Sequence, residues 1–141
     1  MNANAAQYYR QQSIETAGPL RLVVLLYEGA INAIDKAKEA IRTQDIATAH
    51  SQIIKTEDII KELMSALDTS YEVGMSLMAL YEFLLDRLVQ ANIKKDVLLL
   101  DEVRGFLADL KEAWDEVARR PMEIQKPDQG KAPVTSLNVT G

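Results

Sequence analysis

The sequence predicts an all-α protein, an antiparallel up-down four-helix bundle with a short N-terminal cap segment, and three observations predict it. Apolar residues recur at steps of three and four through four stretches of similar length, the period of one helical face. Short polar breaks carrying turn and capping residues separate those stretches. Glycine, proline and long β-branched runs are scarce inside them. At 141 residues, 48% of them apolar and 26% charged, the chain is the size of one folded domain with one core.

Residues 1–18 are polar apart from a few points such as Tyr8, Tyr9 and Ile14, and read as a cap or lid segment. Gly18-Pro19 then opens the first helix, because proline suits the first helical position and drives its predecessor out of the helical region. Leu20, Val24, Tyr27, Ile31, Ile34 and Ile41 follow on one face. Thr43-Gln44-Asp45 is a loop whose Asp45 caps the second helix, with Ala49, Ile53, Thr56, Ile60, Leu63 and Leu67 as its stripe. Asp68-Thr69-Ser70 breaks the chain again. The third helix runs from about Glu72 to Ala91, carrying Val73, Leu77, Leu80, Leu84 and Leu88 on one face, widened by Met78, Tyr81, Leu85 and Val89. After a turn over 92–95, Asp96 caps the fourth helix, whose stripe is Leu100, Val103, Leu107, Leu110, Trp114 and Val117. Helices of about 20–25 residues are roughly 30–37 Å long, and short loops between equal lengths make antiparallel neighbours. The bundle therefore spans 19–120, and the proline- and glycine-bearing stretch 121–141 is expected to be a disordered tail.

Most chemistries are disfavoured. A net charge of −5 and a pI near 4.9 argue against nucleic acid as a partner. Without cysteine there is no disulfide, thiolate metal site or thiol nucleophile. A di-metal carboxylate bundle needs Glu-x-x-His pairs, whereas the single histidine, His50, has Ala47 three residues before it. The acid pairs Glu57-Asp58 and Asp101-Glu102 diverge by about 100° on a helix and read as solvated faces. Met64, Met75 and Met78 read as core or groove packing. No cofactor, metal or catalytic residue is expected, and the chain is not expected to be an enzyme. Arg21 and Glu28 interrupt the apolar run well short of the ~20 residues of a membrane span, and the N-terminus lacks a basic start, so a cytoplasmic protein is expected.

What remains is surplus apolar surface. Every position of 22–26 is apolar, and so is nearly every position of 77–85, where a bundle helix buries about three or four residues in seven. Either neighbouring helices wrap these positions on two sides, or they line a groove that receives another chain. On the second reading Leu22, Val23, Leu25, Leu26, Met78, Tyr81 and Leu85 are the groove candidates, by surplus position alone. A bundle that self-associates through the same faces, as a weak homodimer or a structural adaptor, is the alternative.

Several blocks resemble the FliS family of flagellin-specific export chaperones. The run Tyr9-Arg-Gln-Gln-Ser13-Ile14-Glu-Thr16-Ala17-Gly18-Pro19 is similar to the family's Tyr-x-x-x-Ser-Val-x-Thr-Ala-Ser-Pro, and LYEGAI over 26–31 to its Leu-Tyr-Asp-Gly-Ala-Ile. LMALYEFLLDRLVQANIKKD and LDEVRGFLADLKEAW resemble the blocks of its last two helices, so that the likeness covers about residues 8–118 in order. Gly18 departs from the family's capping serine, and Ser70-Tyr71 from a common Gly-Gly pair. The resemblance implies a cytoplasmic chaperone that holds the disordered C-terminal segment of flagellin in hydrophobic grooves, prevents premature polymerisation, and delivers it to the cytoplasmic domain of a membrane protein of the flagellar type III export gate. It also makes Tyr9 and Ile14 the candidates for the lid and for contact with that gate.

Overall fold

The computed structural model describes residues 3–119, with side chains from Leu20 onward. It contains α1 (Ala3–Arg42), α2 (Ile46–Ser65), α3 (Glu72–Lys94) and α4 (Val97–Ala118), and no strand among the described residues. The expected lid residues Tyr9 and Ile14 have side chains outside the described set, and the expected tail 121–141 lies outside it altogether.

One boundary differs from expectation. α1 does not begin at Gly18-Pro19 but runs through it, as a single helix of 40 residues. Ala3, Ala5, Ala6, Gln7, Arg10, Gln11, Gln12 and Glu15 are good helix formers, and a lone internal proline removes one backbone hydrogen bond without cancelling their preference. The other breaks fall where the capping residues sit. Asp45 accepts a hydrogen bond from Thr48 N, and Asp96 from Leu98 N. Gln44 and Lys95 take left-handed φ values of 63° and 51° to turn the chain out of α1 and α3.

Between α2 and α3, the Asp68 carboxylate accepts from Ser70 N at 3.0 Å and Ser70 Oγ at 2.6 Å, which fixes the turn. These bonds hold the carboxyl below its ordinary range. Gly74 sits beneath that turn so closely that a Cβ would lie 2.1 Å from the Asp68 carbonyl oxygen.

The helices are arranged in a square: α1 lies against α2 and α4, and α3 against the same two. The ion pairs across the α1–α4 seam set its direction. As the α1 partner advances from Arg21 to Glu28, Asp35 and Lys38, the α4 partner retreats from Asp115 to Lys111, Arg104 and Asp101. Only antiparallel neighbours pair in that order. The strongest rung is bidentate, Arg104 donating to Asp35 at 2.7 and 3.1 Å and thereby lowering the Asp35 pKa.

Burial separates α1 from α3. From Leu20 onward the buried positions of α1 are 23, 24, 26, 27, 30, 31, 33, 34, 37 and 40, a band wide enough to meet neighbours on two sides. On α3 only Gly74, Tyr81, Leu84, Leu88 and Ala91 are buried, a seam of coiled-coil width. α1 is thus the helix its partners wrap. α3 keeps an apolar flank to spare.

Candidate partner-binding seam between α2 and α3

Of the nine expected site residues, the seven with described side chains do not share one exposure: some are interior and some are half-buried. Val23 and Leu26 are 9% and 7% exposed, inside the core, and Leu22 and Leu25 are half-buried beside them. On α1, then, most of the apolar surplus is covered by the chain's own helices. Tyr81 is also interior, only 2% exposed. Its hydroxyl is hydrogen-bonded to that of Tyr27, and Trp114 Nε1 donates to the Tyr27 oxygen at 3.2 Å. Tyr27, Tyr81 and Trp114 come from three separate blocks of the sequence, and they meet as one polar knot joining α1, α3 and α4. Burial raises the pKa of both phenols, so the knot is neutral at any ordinary pH.

Met78 and Leu85 have a different setting. His50 on α2 accepts from Asn92 Nδ2 on α3 at 3.0 Å, so the flank of α2 that carries His50 faces α3. The opposite flank faces α1, where Ile59 Cδ1 lies 3.4 Å from an ideal Cβ built on Gly29. Steps of four and three from His50 pass through Ile54, Glu57, Lys61 and Met64. On α3 the corresponding flank descends from Asn92 through Val89, Leu85 and Glu82 to Met78. In antiparallel register Glu57 comes level with Leu85, and Met64 with Met78. Ile54, Met64, Met78 and Leu85 are half-buried and Val89 is 43% exposed, which makes a shallow apolar seam.

The remaining uncovered apolar surface also favours α3. Of the seven large hydrophobic side chains exposed among the described residues, four belong to α3: Val73, Met75, Val89 and Ile93. Val73 was expected on the buried stripe and is instead 44% exposed, in the first turn of α3. On the α4 side, Phe83 packs edge-on against Phe106 at 5.9 Å, with Arg87 stacked 4.9 Å above Phe83 and paired to Glu102. A cleft of about 620 Å³ opens between α1 and α4, but Glu28, Arg104, Lys111, Asp115 and Arg119 in its wall are taken up in ion pairs. It offers little apolar surface.

Two residues of the α2–α3 seam escape the sequence pattern. Glu57, expected on a solvated face, is only 9% exposed as a residue, and burial raises its pKa. Ile54 lies off the regular α2 stripe. Its three-residue spacing to Glu57 and ten-residue spacing to Met64 is the signal that could have marked this second face. Among the described residues no group of three or more His, Cys, Asp or Glu is placed to hold a metal. No described helix is long and apolar enough to cross a membrane.

These features define the class: an all-α four-helix bundle whose third helix is only partly covered, with no catalytic constellation in the described part. The family follows from comparison. The family model described as flagellar protein FliS matches residues 1–121, and the chain belongs to that family. It is 39% identical over 108 residues to the flagellar secretion chaperone FliS of Bacillus subtilis, covering 77% of this chain and 81% of that one. It is 37% identical over 120 residues to flagellar secretion chaperone FliSB of Pseudomonas aeruginosa, covering 81% and 95%. Against the Salmonella typhimurium flagellar secretion chaperone FliS it is 30% identical over 123 residues, covering 82% and 91%. These relatives are named for chaperoning, not for catalysis.

Proposed function

We propose that this chain is a cytoplasmic export chaperone that binds the disordered C-terminal segment of flagellin, keeps it from polymerising, and helps present it to the export gate. Family membership supports the role, and the uncovered apolar flank of α3 is the observation that carries the binding mode. An amphipathic segment laid against Met78, Leu85 and Val89, facing Ile54 and Met64 on α2, gains apolar burial that this chain does not supply to itself. Leu22 and Leu25 extend the candidate surface on α1, whereas Val23, Leu26 and Tyr81 support it from within. Tyr9 and Ile14 remain the proposed lid and gate contacts. No nucleotide is required: association is driven by burial, and release by competition or handover.

Coupled folding and binding of this kind buries on the order of 1,000–3,000 Å² and gives up about 2–5 kcal/mol to ordering the guest. Calorimetric titration with the C-terminal segment of the same organism's flagellin should show one-to-one binding, a negative heat-capacity change, and a gain of helicity in the segment. Flat traces at high micromolar concentration would remove the proposal. Light scattering tests the rival reading, a second copy of this chain paired through the α3 flank: a stable dimer that the segment does not dissociate would favour it.

A further inference from the structure

The uncovered flank of α3 is a stripe with an order along it. At about 100° per residue, Met75, Met78, Leu85, Val89 and Ile93 fall within about 100° of the helix circumference. Met75, Val89 and Ile93 are exposed, and Met78 and Leu85 are half-buried. Glu82 and Asp86 lie in the same arc, so the stripe is apolar at both ends and acidic in the middle. Both carboxylates are exposed, and neither forms an ion pair among the described residues. At one turn's spacing they repel each other.

The end of α4 comes up beside the start of that stripe. Arg87 pairs with Glu102 and Phe83 packs on Phe106, so a step down α3 matches an equal step up α4. Carried on at that register, Arg119 stands level with Ser70, just before Met75. Residues 120–141 continue from that point, and nearly all of them lie beyond the part that the family model matches, 1–121. Their sequence has the order of the stripe: apolar Met122 and Ile124, basic Lys126 and Lys131, then apolar Val134, Leu137 and Val139. Arg120 and the two lysines outnumber Glu123 and Asp128. Prolines at 121, 127 and 133 suit an extended course. Fully extended, such a segment spans about 70 Å, whereas Met75 to Ile93 along α3 is about 27 Å.

We propose that in the free protein residues 120–141 lie along the α3 stripe, running parallel to α3, and are a built-in occupant that the guest must displace. Met122 and Ile124 sit by Met75 and Met78, the two lysines by Glu82 and Asp86, and the 134–139 end by Val89 and Ile93. Displacement by the guest rests on the export-chaperone reading; the docking itself does not. The tether fixes the local concentration of this occupant, on the order of millimolar for a short flexible link, however dilute the protein is. A guest then binds with its intrinsic affinity reduced by the fraction of molecules whose flank is open. Weak apolar segments are excluded by that competition, and the flank is shielded from other copies of the chain.

The chain has no cysteine, so Ser136→Cys in the full chain gives a single attachment point for a benzophenone photo-cross-linker. Irradiated alone, this protein should form cross-links from position 136 to α3 between Leu85 and Ile93. Mixing isotope-labelled and unlabelled copies separates links within one chain from links between two. Lys126→Glu with Lys131→Glu should lower the yield about two- to fivefold, and Glu82→Lys with Asp86→Lys added to that pair should restore it. The flagellin C-terminal segment should suppress the cross-links. A variant with Met122, Ile124, Val134, Leu137 and Val139 all changed to serine leaves every described residue untouched. It should bind the segment about three- to tenfold more tightly than the parent. Links between two chains would make a second copy the occupant, and an absence of links to α3 would put residues 120–141 elsewhere; either result overturns the inference. Cross-links that the segment leaves unchanged, or equal affinity of parent and serine variant, would overturn the competition. Failure of the segment to bind either protein would overturn the chaperone reading, while the cross-links still decide the docking.

Discussion

Replacing Tyr27 by phenylalanine should damage the bundle, and then replacing Tyr81 as well should repair part of the damage. Tyr27 is fully buried and its oxygen is the meeting point of the knot, shared with the Tyr81 hydroxyl and accepting from Trp114 Nε1. Tyr27→Phe abolishes both bonds and strands a phenol that is 2% exposed, together with an indole N–H that is only partly covered. A lost hydrogen bond costs about 0.5–1.5 kcal/mol, and a stranded buried donor about 1–3 kcal/mol. The single substitution should therefore destabilise by roughly 2–4 kcal/mol, or about 8–16 °C in melting midpoint for a domain of this size. Tyr81→Phe removes one bond and leaves Trp114 satisfied, at about 1 kcal/mol. In the double variant the stranded Tyr81 hydroxyl no longer exists, so it should be about 1 kcal/mol or more stabler than Tyr27→Phe alone. Urea unfolding of the four proteins at one pH measures the cycle. A double variant less stable than Tyr27→Phe would refute the polar knot as described.

Three further outcomes are expected. Gly74→Ala places a methyl group against the Asp68 carbonyl and should cost about 1–3 kcal/mol in urea unfolding, with Gly105→Ala, where a Cβ meets nothing within 4 Å, as the neutral or stabilising control. Lys95→Gly relieves a left-handed φ of 51° at the end of α3 and should stabilise by about 0.5–1 kcal/mol in the same assay. The pairing of Asp35 with Arg104 lowers the Asp35 pKa, so its contribution is present above the ordinary carboxylate range and lost as pH falls through the lowered folded value. Asp35→Asn should flatten that acid limb of the stability curve by less than about 1 kcal/mol, since both side chains are more than a third exposed.

Much of the architecture was readable from local chemistry. Asp45 and Asp96 cap the helices they precede, and the stripe of α4 includes all its buried residues and that of α2 all but Glu57, because capping and period are short-range properties. Gly18-Pro19 misled for the same reason: a local start signal is outweighed when the residues before it also favour helix. The roles of the surplus apolar residues were not legible. Periodicity gives the width of a stripe but not what covers it, so 22–26 and 77–85 looked alike although α1 is wrapped and α3 is not. Tyr81 looked like groove wall because its partner Tyr27 stands 54 residues away, and the covering of Glu57 was not legible because its acidic neighbour and spacing say nothing of what packs on it.

The ion pair between Arg21 and Asp115 has a topological consequence. It puts the entry of the chain into the bundle and its exit on adjacent helices at the same pole, while the links at Gln44 and Lys95 occupy the opposite pole. Up to that junction the molecule is nearly a ring, and a permuted gene that begins at Ile46, bridges Arg119 to Leu20 with a short linker, and stops at Thr43 encodes the same neighbours in a new order. The pole opposite that junction carries Ile93 and Leu98 at 72% and 77% exposure.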